Sequence, residues 1–421
     1  MPYLRSFVLL GATLALASCA GQAPQIPGST MLSGMLGAGS AGAGNAGKTS
    51  GNVLLLVPLS GSLAPVGQAL ENAAKLAFVS GGSPSLDVRD TGGTPAGAVA
   101  AAKAGLAAGD GIILGPLTAA DAKAVTPVAK QAGVNMLPFT NDSTVAQPGV
   151  WPLGITPVQQ VQRVVQAAAD AGRTQLAGLL PDTDFGRHLA DALQHEAAAL
   201  SEPAPTIVYY DQSFSSVNQA VRQVSDWDGR GQRLMAAIKA ARDLGTAAGR
   251  AKAHELQRQQ VAPPSFNALF IGATDGTTLA ELANFLPYYG VMQPQVQLLG
   301  PSLWANIAPA MASQSSLIGA MYAAPDPEAS SAFDAKYTAA YGSAPPAIAD
   351  IAFDAAALAK LAATSGGYTT QVLTSPAGFT GTDGLLVLQP DGTVKRGLAV
   401  FSIAQGQPAI TSPAPTSFSH P

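Results

Sequence analysis

The chain has 421 residues, 47% hydrophobic and 11% charged, which is enough for a large core and is typical of two or three domains. Its net charge of −4 gives no overall basic field to attract nucleic acid, so we expect no nucleic-acid partner. The only cysteine is Cys19, which excludes an intramolecular disulfide and a CxxC metal or redox site. With four scattered histidines and no cofactor motif, we expect neither a metal centre nor a cofactor.

The N-terminus explains the cysteine. Arg5 precedes an apolar stretch, residues 7–17, that is too short to span a bilayer but suits the core of a signal peptide. The stretch ends in Leu16-Ala17-Ser18-Cys19, which resembles a bacterial lipobox, whose cysteine receives diacylglycerol. The alternative is an ordinary secretory signal with a chance cysteine. We predict a signal peptide over residues 1–18, lipidation at Cys19 and, because Ala20 rather than an Asp follows, anchoring at the outer membrane.

The two ends of the chain are rich in small residues. Residues 19–50 consist largely of Gly, Ala, Ser and Pro, which bury too little surface to fold, so we predict a lipid-anchored flexible tether. Residues 406–421 are similar and are predicted to be a flexible tail. Gly42 to Thr49 matches the P-loop pattern by letter, but a strand rather than a helix is predicted next, so no nucleotide site is expected.

Strand and helix patterns alternate through the body. The run 52–59 is apolar throughout, as in a strand buried on both faces of a parallel sheet. Further strands are predicted at 86–89, 111–114, 134–139, 176–180, 206–210, 268–271 and 296–299, with helices between them. A hairpin with an Asp391-Gly392 turn is predicted near the end. The pattern predicts an α/β fold with two doubly wound parallel-sheet lobes joined by crossing segments.

Several segments, in order, resemble the leucine/isoleucine/valine-binding-protein family of type I periplasmic binding proteins. They cover roughly residues 51–405 and give lobe 1 as 51–154 plus 324–375 and lobe 2 as 155–323 plus 376–405. The matching segments are Val57 to Gly61, Asp110 to Pro116, Thr126 to Ala129, Gly133 to Pro138, Asp354 to Ala356, and Gly378 to Gly381 with Asp391-Gly392.

The resemblance implies a small ligand, often an amino acid, held in an interlobe cleft by groups at the carboxyl ends of the strands. An amino acid also needs an acid for its ammonium group. The alternative is structural: Thr118, Ser143 and Asp184 can cap helices, and Trp304 can be a core residue. The residues carried over are Ser60, Ser62, Leu117, Thr118, Thr140, Asn141, Asp142, Ser143, Asp184, Phe185, Thr274, Asp275 and Trp304.

Two functions remain open at this point. The first is the solute-binding component of an ABC transporter, with an amino-acid-type ligand and a permease as partner. The second is an outer-membrane lipoprotein that activates a penicillin-binding protein, because residues 139–146 and 266–304 resemble that branch of the family. A basic stretch from Arg230 to Arg258 is either a solvated helical face or a surface for a partner. No catalytic motif is present, so we expect a periplasmic binding module rather than an enzyme.

Overall fold

The structure is a computed structural model that describes residues 47–79, 84–259 and 261–418. The predicted signal peptide, Cys19 and most of the predicted tether lie outside these ranges. Within them, no helix combines the length and the hydropathy needed to cross a bilayer.

A four-stranded parallel sheet in the order β2-β1-β3-β4 organises the first part of the chain, which we call the first lobe. Both faces of β1 are covered, since Val53, Leu55 and Val57 pack into one core and Leu54 and Leu56 into another. The elements are β1 (Val53–Val57), α1 (Ala64–Ala77), β2 (Leu86–Asp90), α2 (Pro95–Ala107), β3 (Ile112–Leu114), α3 (Ala119–Ala132) and β4 (Asn135–Leu137).

The chain then enters a second sheet, which with its helices forms the second lobe. Helix α4 begins at a capping box in which Thr156 and Gln159 bond each other's backbone N–H groups, with Pro157 at the first helical position. The elements are α4 (Pro157–Asp170), β5 (Leu176–Pro181), α5 (Asp184–Ala199), β6 (Thr206–Tyr210), α6 (Phe214–Val224), α7 (Trp227–Asp243), α8 (Ala247–Leu256), β7 (Ala268–Ile271), α9 (Gly276–Tyr288), β8 (Gln297–Gly300), α10 (Trp304–Met311) and β9 (Met321–Ala324).

The last part of the chain contributes to both lobes. Helix α12 packs along α1 of the first lobe, and strands β13 and β14 return to the second sheet. The elements are α11 (Pro327–Tyr341), α12 (Ala349–Thr364), α13 (Thr370–Leu373), β10 (Phe379–Gly381), β11 (Gly384–Leu388), β12 (Val394–Arg396), β13 (Ala399–Ser402) and β14 (Ala409–Ser412).

The second sheet has seven strands in the order β14-β13-β9-β8-β7-β5-β6. Strands β5 to β9 pair in parallel, whereas β13 runs antiparallel to β9 and β14 antiparallel to β13. Separate apolar cores cover its two faces. The predicted α/β class with parallel sheets is therefore confirmed.

Three segments differ from their predicted assignment. Strands β10, β11 and β12 form a small antiparallel sheet whose Leu386, Leu388 and Val394 pack into the first-lobe core, although 376–405 was assigned to lobe 2. Of the strands within 376–405, only β13 joins the second sheet. The predicted flexible tail contains β14, whose backbone groups form hydrogen bonds with those of β13. At the end of the predicted tether, the Lys48 carbonyl accepts a hydrogen bond from the Tyr368 N–H.

Candidate functional site

The loop after β1 carries Ser60 and Ser62, both exposed, and is organised by a carboxylate at the end of β2. Oδ1 of Asp90 accepts hydrogen bonds from the N–H groups of Leu59 at 2.8 Å, Ser60 at 3.2 Å and Gly92 at 2.7 Å. A hydrogen bond from the Ser60 side chain and these N–H groups lower the pKa of Asp90. The backbone amides that a ligand carboxylate would use are therefore occupied by an internal one. Asp90 was not among the predicted site residues, since it lies 30 residues from the loop that it organises.

The loops after β3 and β4 are held by short-range hydrogen bonds. Thr118 caps α3, because its Oγ1 accepts from the Asp121 N–H at 3.1 Å, and Leu117 packs against the first-lobe core. Thr140 is buried, and its Oγ1 accepts from the Asp142 N–H at 3.1 Å. Asn141, by contrast, is exposed.

Asp142 is fully engaged within the protein. It caps a short 3₁₀ helix over Ser143–Val145 by accepting from the Thr144 N–H at 2.9 Å and the Thr144 hydroxyl at 2.6 Å. Its second oxygen lies 3.1 Å from the Lys123 Nζ. Partial burial raises the pKa of Asp142, but the hydrogen bonds from Thr144 and Lys123 outweigh it and lower the pKa overall. Ser143 is exposed within the short helix.

In the second lobe, Asp184 and Phe185 form the first turn of α5. Asp184 projects into solvent, 3.5 Å from Arg187, and the cap of α5 is Thr183 rather than Asp184. Phe185 is half-buried against the second-lobe core. Neither residue has the enclosed setting that strengthens a charged hydrogen bond to a ligand.

Asp275 caps α9, accepting from both the N–H and the hydroxyl of Thr278 at 2.9 Å, while Thr274 beside it is exposed. Tyr210, at the end of β6, is close to Asp275. Burial, with a smaller contribution from the Asp275 charge, raises the pKa of Tyr210. Its hydroxyl is buried and has no hydrogen-bond partner within the described ranges. Tyr210 was not among the predicted site residues.

Trp304, predicted to contact a ligand, is instead a core residue of the second lobe. It is 0% exposed and its Nε1 donates to the Ala273 carbonyl at 3.1 Å. A Cβ at Gly300 would lie 2.2 Å from the indole, so the ring fills the space left by this glycine. The alternative structural assignment of Trp304 fits the geometry.

The candidate site thus divides into two groups. The hydroxyl and amide side chains of Ser60, Ser62, Asn141, Ser143 and Thr274 are exposed at the carboxyl ends of their strands. The acids Asp90, Asp142 and Asp275 are committed to backbone, hydroxyl or lysine partners. No group of three or more His, Cys, Asp or Glu side chains in the described parts of the chain is placed to hold a metal ion.

A family model described as periplasmic binding protein matches residues 52–406. The chain belongs to the periplasmic-binding-protein family. This confirms the resemblance, and membership of the family indicates a periplasmic location for the folded body. No curated protein matches the sequence significantly.

Solved structures share the periplasmic-binding-protein fold at low identity. The LpoA C-domain from Haemophilus influenzae, a regulator of PBP1A, is 17% identical with a TM-score of 0.60, covering 86% of this chain and 99% of that one. An ABC transporter substrate-binding protein from Sphaerobacter thermophilus is 15% identical with a TM-score of 0.59, covering 86% and 96%. A leucine-binding protein from Thermotoga maritima is 16% identical with a TM-score of 0.51, covering 86% and 98%. At these identities the likeness shows the fold alone.

On this periplasmic-binding-protein fold, α7 and α8 form a helical hairpin with a small core of its own, built on Ile238, Ala241 and Ala253. Arg230, counted in the predicted basic surface, is buried, and its guanidinium donates to the carbonyls of Ala262 and Tyr289. Several other charges in the basic stretch are paired, as in Arg233–Asp226, Lys239–Asp243 and Lys252–Glu255. Because of this burial and pairing, the surface of the hairpin carries less positive charge than its sequence suggests.

Proposed function

We propose that this chain is a non-catalytic cell-envelope lipoprotein that regulates peptidoglycan synthesis by contacting a penicillin-binding protein. One observation carries the proposal: Asp90, Asp142 and Asp275, at the carboxyl ends of their strands, already have internal partners, and Asp184 projects into solvent. An amino-acid ligand needs a carboxylate for its ammonium group and donors for its carboxylate. Here Asp142 pairs with Lys123, Asp275 caps α9, and Asp90 occupies the amides after β1.

The proposed working surface is the α7–α8 hairpin. Met235 is 66% exposed and Leu244 is 67% exposed, and both lie on the hairpin. A protein that regulates through contacts needs apolar side chains at its surface to bury against a partner. Lipidation at Cys19 would tether the body to the outer membrane, from which it could reach an enzyme of the cell wall.

The proposal is tested by binding. Full-length chain is immobilised and exposed to the purified penicillin-binding proteins of the same organism. We expect one of them to bind the wild type, and Met235→Asp or Leu244→Asp to weaken that binding at least tenfold. Leu361→Asp is the matched control, because Leu361 is also an exposed leucine, 53% exposed, but lies on α12. Absence of binding, or equal loss in the control, would contradict the proposal.

A second candidate is a receptor for a small polar solute that delivers it to an ABC permease. The buried, unpartnered Tyr210 hydroxyl beside Asp275 favours it, because such a group gains a full hydrogen bond when a ligand arrives. If a solute binds there, Tyr210→Phe should weaken its affinity about fivefold or more, whereas Tyr209→Phe, on the same strand but exposed, should not.

A further inference from the structure

A surface pocket of about 620 Å³ lies in the second lobe between α6, the start of α7 and the end of α9. Its volume falls in the range of about 300–1,000 Å³ that is typical of small-molecule sites. Its lining includes the first residues of α7, but not Met235 or Leu244, on which the proposed function rests. We call it the α6–α7 pocket.

One side of the α6–α7 pocket is a polar face of α6. Residues three, four, seven and eight positions apart share one face of a helix. The opposite face of α6, with Val217, Ala220, Val221 and Val224, is buried in the second-lobe core. The pocket face consists of Ser215, Asn218, Gln219, Arg222 and Gln223.

The other side is aromatic. Trp227 and Tyr289 line the pocket with their rings edge-to-face, 5.8 Å apart. The Tyr289 hydroxyl donates to Oδ1 of Asn218 at 2.7 Å, so the amide is held in a fixed orientation. The neighbouring ring of Tyr288 packs on Tyr289 at 4.9 Å and is 72% exposed, which extends the aromatic surface beyond the pocket.

The charges that line the pocket are paired with one another or with a neighbour. Arg222 lies 2.7 Å from Asp228, and Arg233 lies 2.6 Å from Asp226. These pairs leave little charge available for a strongly charged ligand. The amides of Gln219 and Gln223, in contrast, make no side-chain hydrogen bond to any described residue.

The turn that joins the two sides is held in a sparsely populated conformation. Asp226 has φ of +49°, in the left-handed region that a non-glycine residue rarely adopts. It is retained because the Arg230 N–H bonds the Asp226 carbonyl and Arg233 pairs with the Asp226 carboxylate. The strained residue directly precedes Trp227, whose ring lines the pocket.

From this geometry we propose that the α6–α7 pocket binds a neutral sugar. Side-chain amides offer one donor group and one acceptor group, which complements hydroxyls that both donate and accept. The apolar C–H face of a pyranose ring packs on an aromatic ring, and the half-exposed Trp227 provides one. Tyr289 is 6% exposed and contributes through its hydrogen bond to Asn218 rather than through its ring face. The ligand class is a neutral oligosaccharide, and the inference stands whether or not the chain contacts a penicillin-binding protein.

Trp227 provides an intrinsic fluorescence signal for binding at this site. Of its three tryptophans, Trp151 and Trp304 are 0% exposed, so Trp227 is the one that solvent reaches. Full-length protein is titrated with tetramers of N-acetylglucosamine, glucose and mannose while tryptophan emission and its quenching by acrylamide are recorded. We expect one sugar to shift the emission to shorter wavelength and to reduce quenching, with saturation.

Variants then locate the site. Asn218→Ala should weaken sugar binding about fivefold, and Trp227→Phe should abolish the emission change while calorimetry still detects weaker binding. Asn284→Ala, an exposed asparagine on α9 outside the pocket lining, should bind as the wild type does. The proposal is overturned if no sugar changes emission or gives heat up to its solubility limit, or if binding is insensitive to Asn218→Ala and Trp227→Phe.

Discussion

Arg396 and Asp383 form a buried ion pair, 3.0 Å apart, with side chains 3% and 6% exposed. Arg396 ends β12, just before the chain enters the second sheet at β13, and its guanidinium also donates to the Leu153 carbonyl, where the chain first leaves the first lobe. The pair thus joins two of the segments that connect the lobes.

Arg396→Met should therefore be strongly destabilising. Removing one partner leaves Asp383 charged and buried, which costs about 3–5 kcal/mol of unfolding free energy. The matched control is Arg187→Met, whose partner Asp182 is 2.7 Å away but exposed, so that its loss should be far smaller than that of Arg396→Met. Urea unfolding measures both. Equal losses would show that the buried pair has no special role.

Asp350, on α12, faces the same cluster. Burial first, and then the charge of Asp383, raise its pKa to about 9, while burial raises the pKa of neighbouring Asp354 to about 6. A carboxyl whose folded pKa is raised binds more protons in the folded state, so its contribution to stability falls as pH rises between the unfolded and folded values.

Asp350→Asn removes this proton dependence. Between about pH 5 and pH 8, the wild type should lose stability relative to the variant by up to about 1.4 kcal/mol for each unit of pH. Thermal unfolding of both proteins across this range tests the difference. A constant difference between the two proteins, or one with the opposite slope, would show that Asp350 is ionised in the folded state.

Gly300→Ala should disrupt the second-lobe core. The added Cβ would lie 2.2 Å from the Trp304 ring, and overpacking of this kind costs about 1–3 kcal/mol. Gly231→Ala is the control, because Gly231 lies within α7 with nothing within 4 Å of its added Cβ, and there the change should stabilise by about 0.5–1 kcal/mol. Chemical unfolding with Trp fluorescence measures both variants. A neutral Gly300→Ala would mean that the ring moves freely.

Lipidation at Cys19 stays a prediction from the sequence. In a bacterial host that lipidates its envelope proteins, Cys19→Ser should move the protein from the membrane fraction to the soluble fraction and abolish labelling by radioactive palmitate. Ser18→Ala, which changes the neighbouring small residue to another small one, should leave both unchanged. Unaltered labelling in Cys19→Ser would exclude this anchor.

Patterns of neighbouring residues predicted the fold more completely than they predicted the site. The strand at β1 is predicted from an apolar run of neighbouring residues, and it is confirmed. The role of Asp90 depends on a loop 30 residues earlier, and the core position of Trp304 depends on the Ala273 carbonyl, 31 residues earlier, just after β7. Such contacts between distant segments leave no periodic signal in the sequence.

At the end of the chain, too, local patterns predict a turn but not the pairing of distant strands. The Asp391-Gly392 turn between β11 and β12 follows from its dipeptide and is confirmed. The sheets that receive these strands determine the separation of β12 from β13 and the pairing of β14. Strand β14 has only four residues, most of them exposed at the sheet edge, so its sequence carries no clear strand pattern.

We infer that the acids at the strand ends serve the protein itself and leave no site for an amino acid. Thermal unfolding of the full-length protein with each of the twenty amino acids tests it most directly, because a ligand at 100 times its Kd adds about 2.7 kcal/mol to stability. We predict that no amino acid raises the melting temperature. A clear rise with one of them, lost in Thr140→Ala or Thr118→Ala, would contradict the account and establish the chain as a solute receptor.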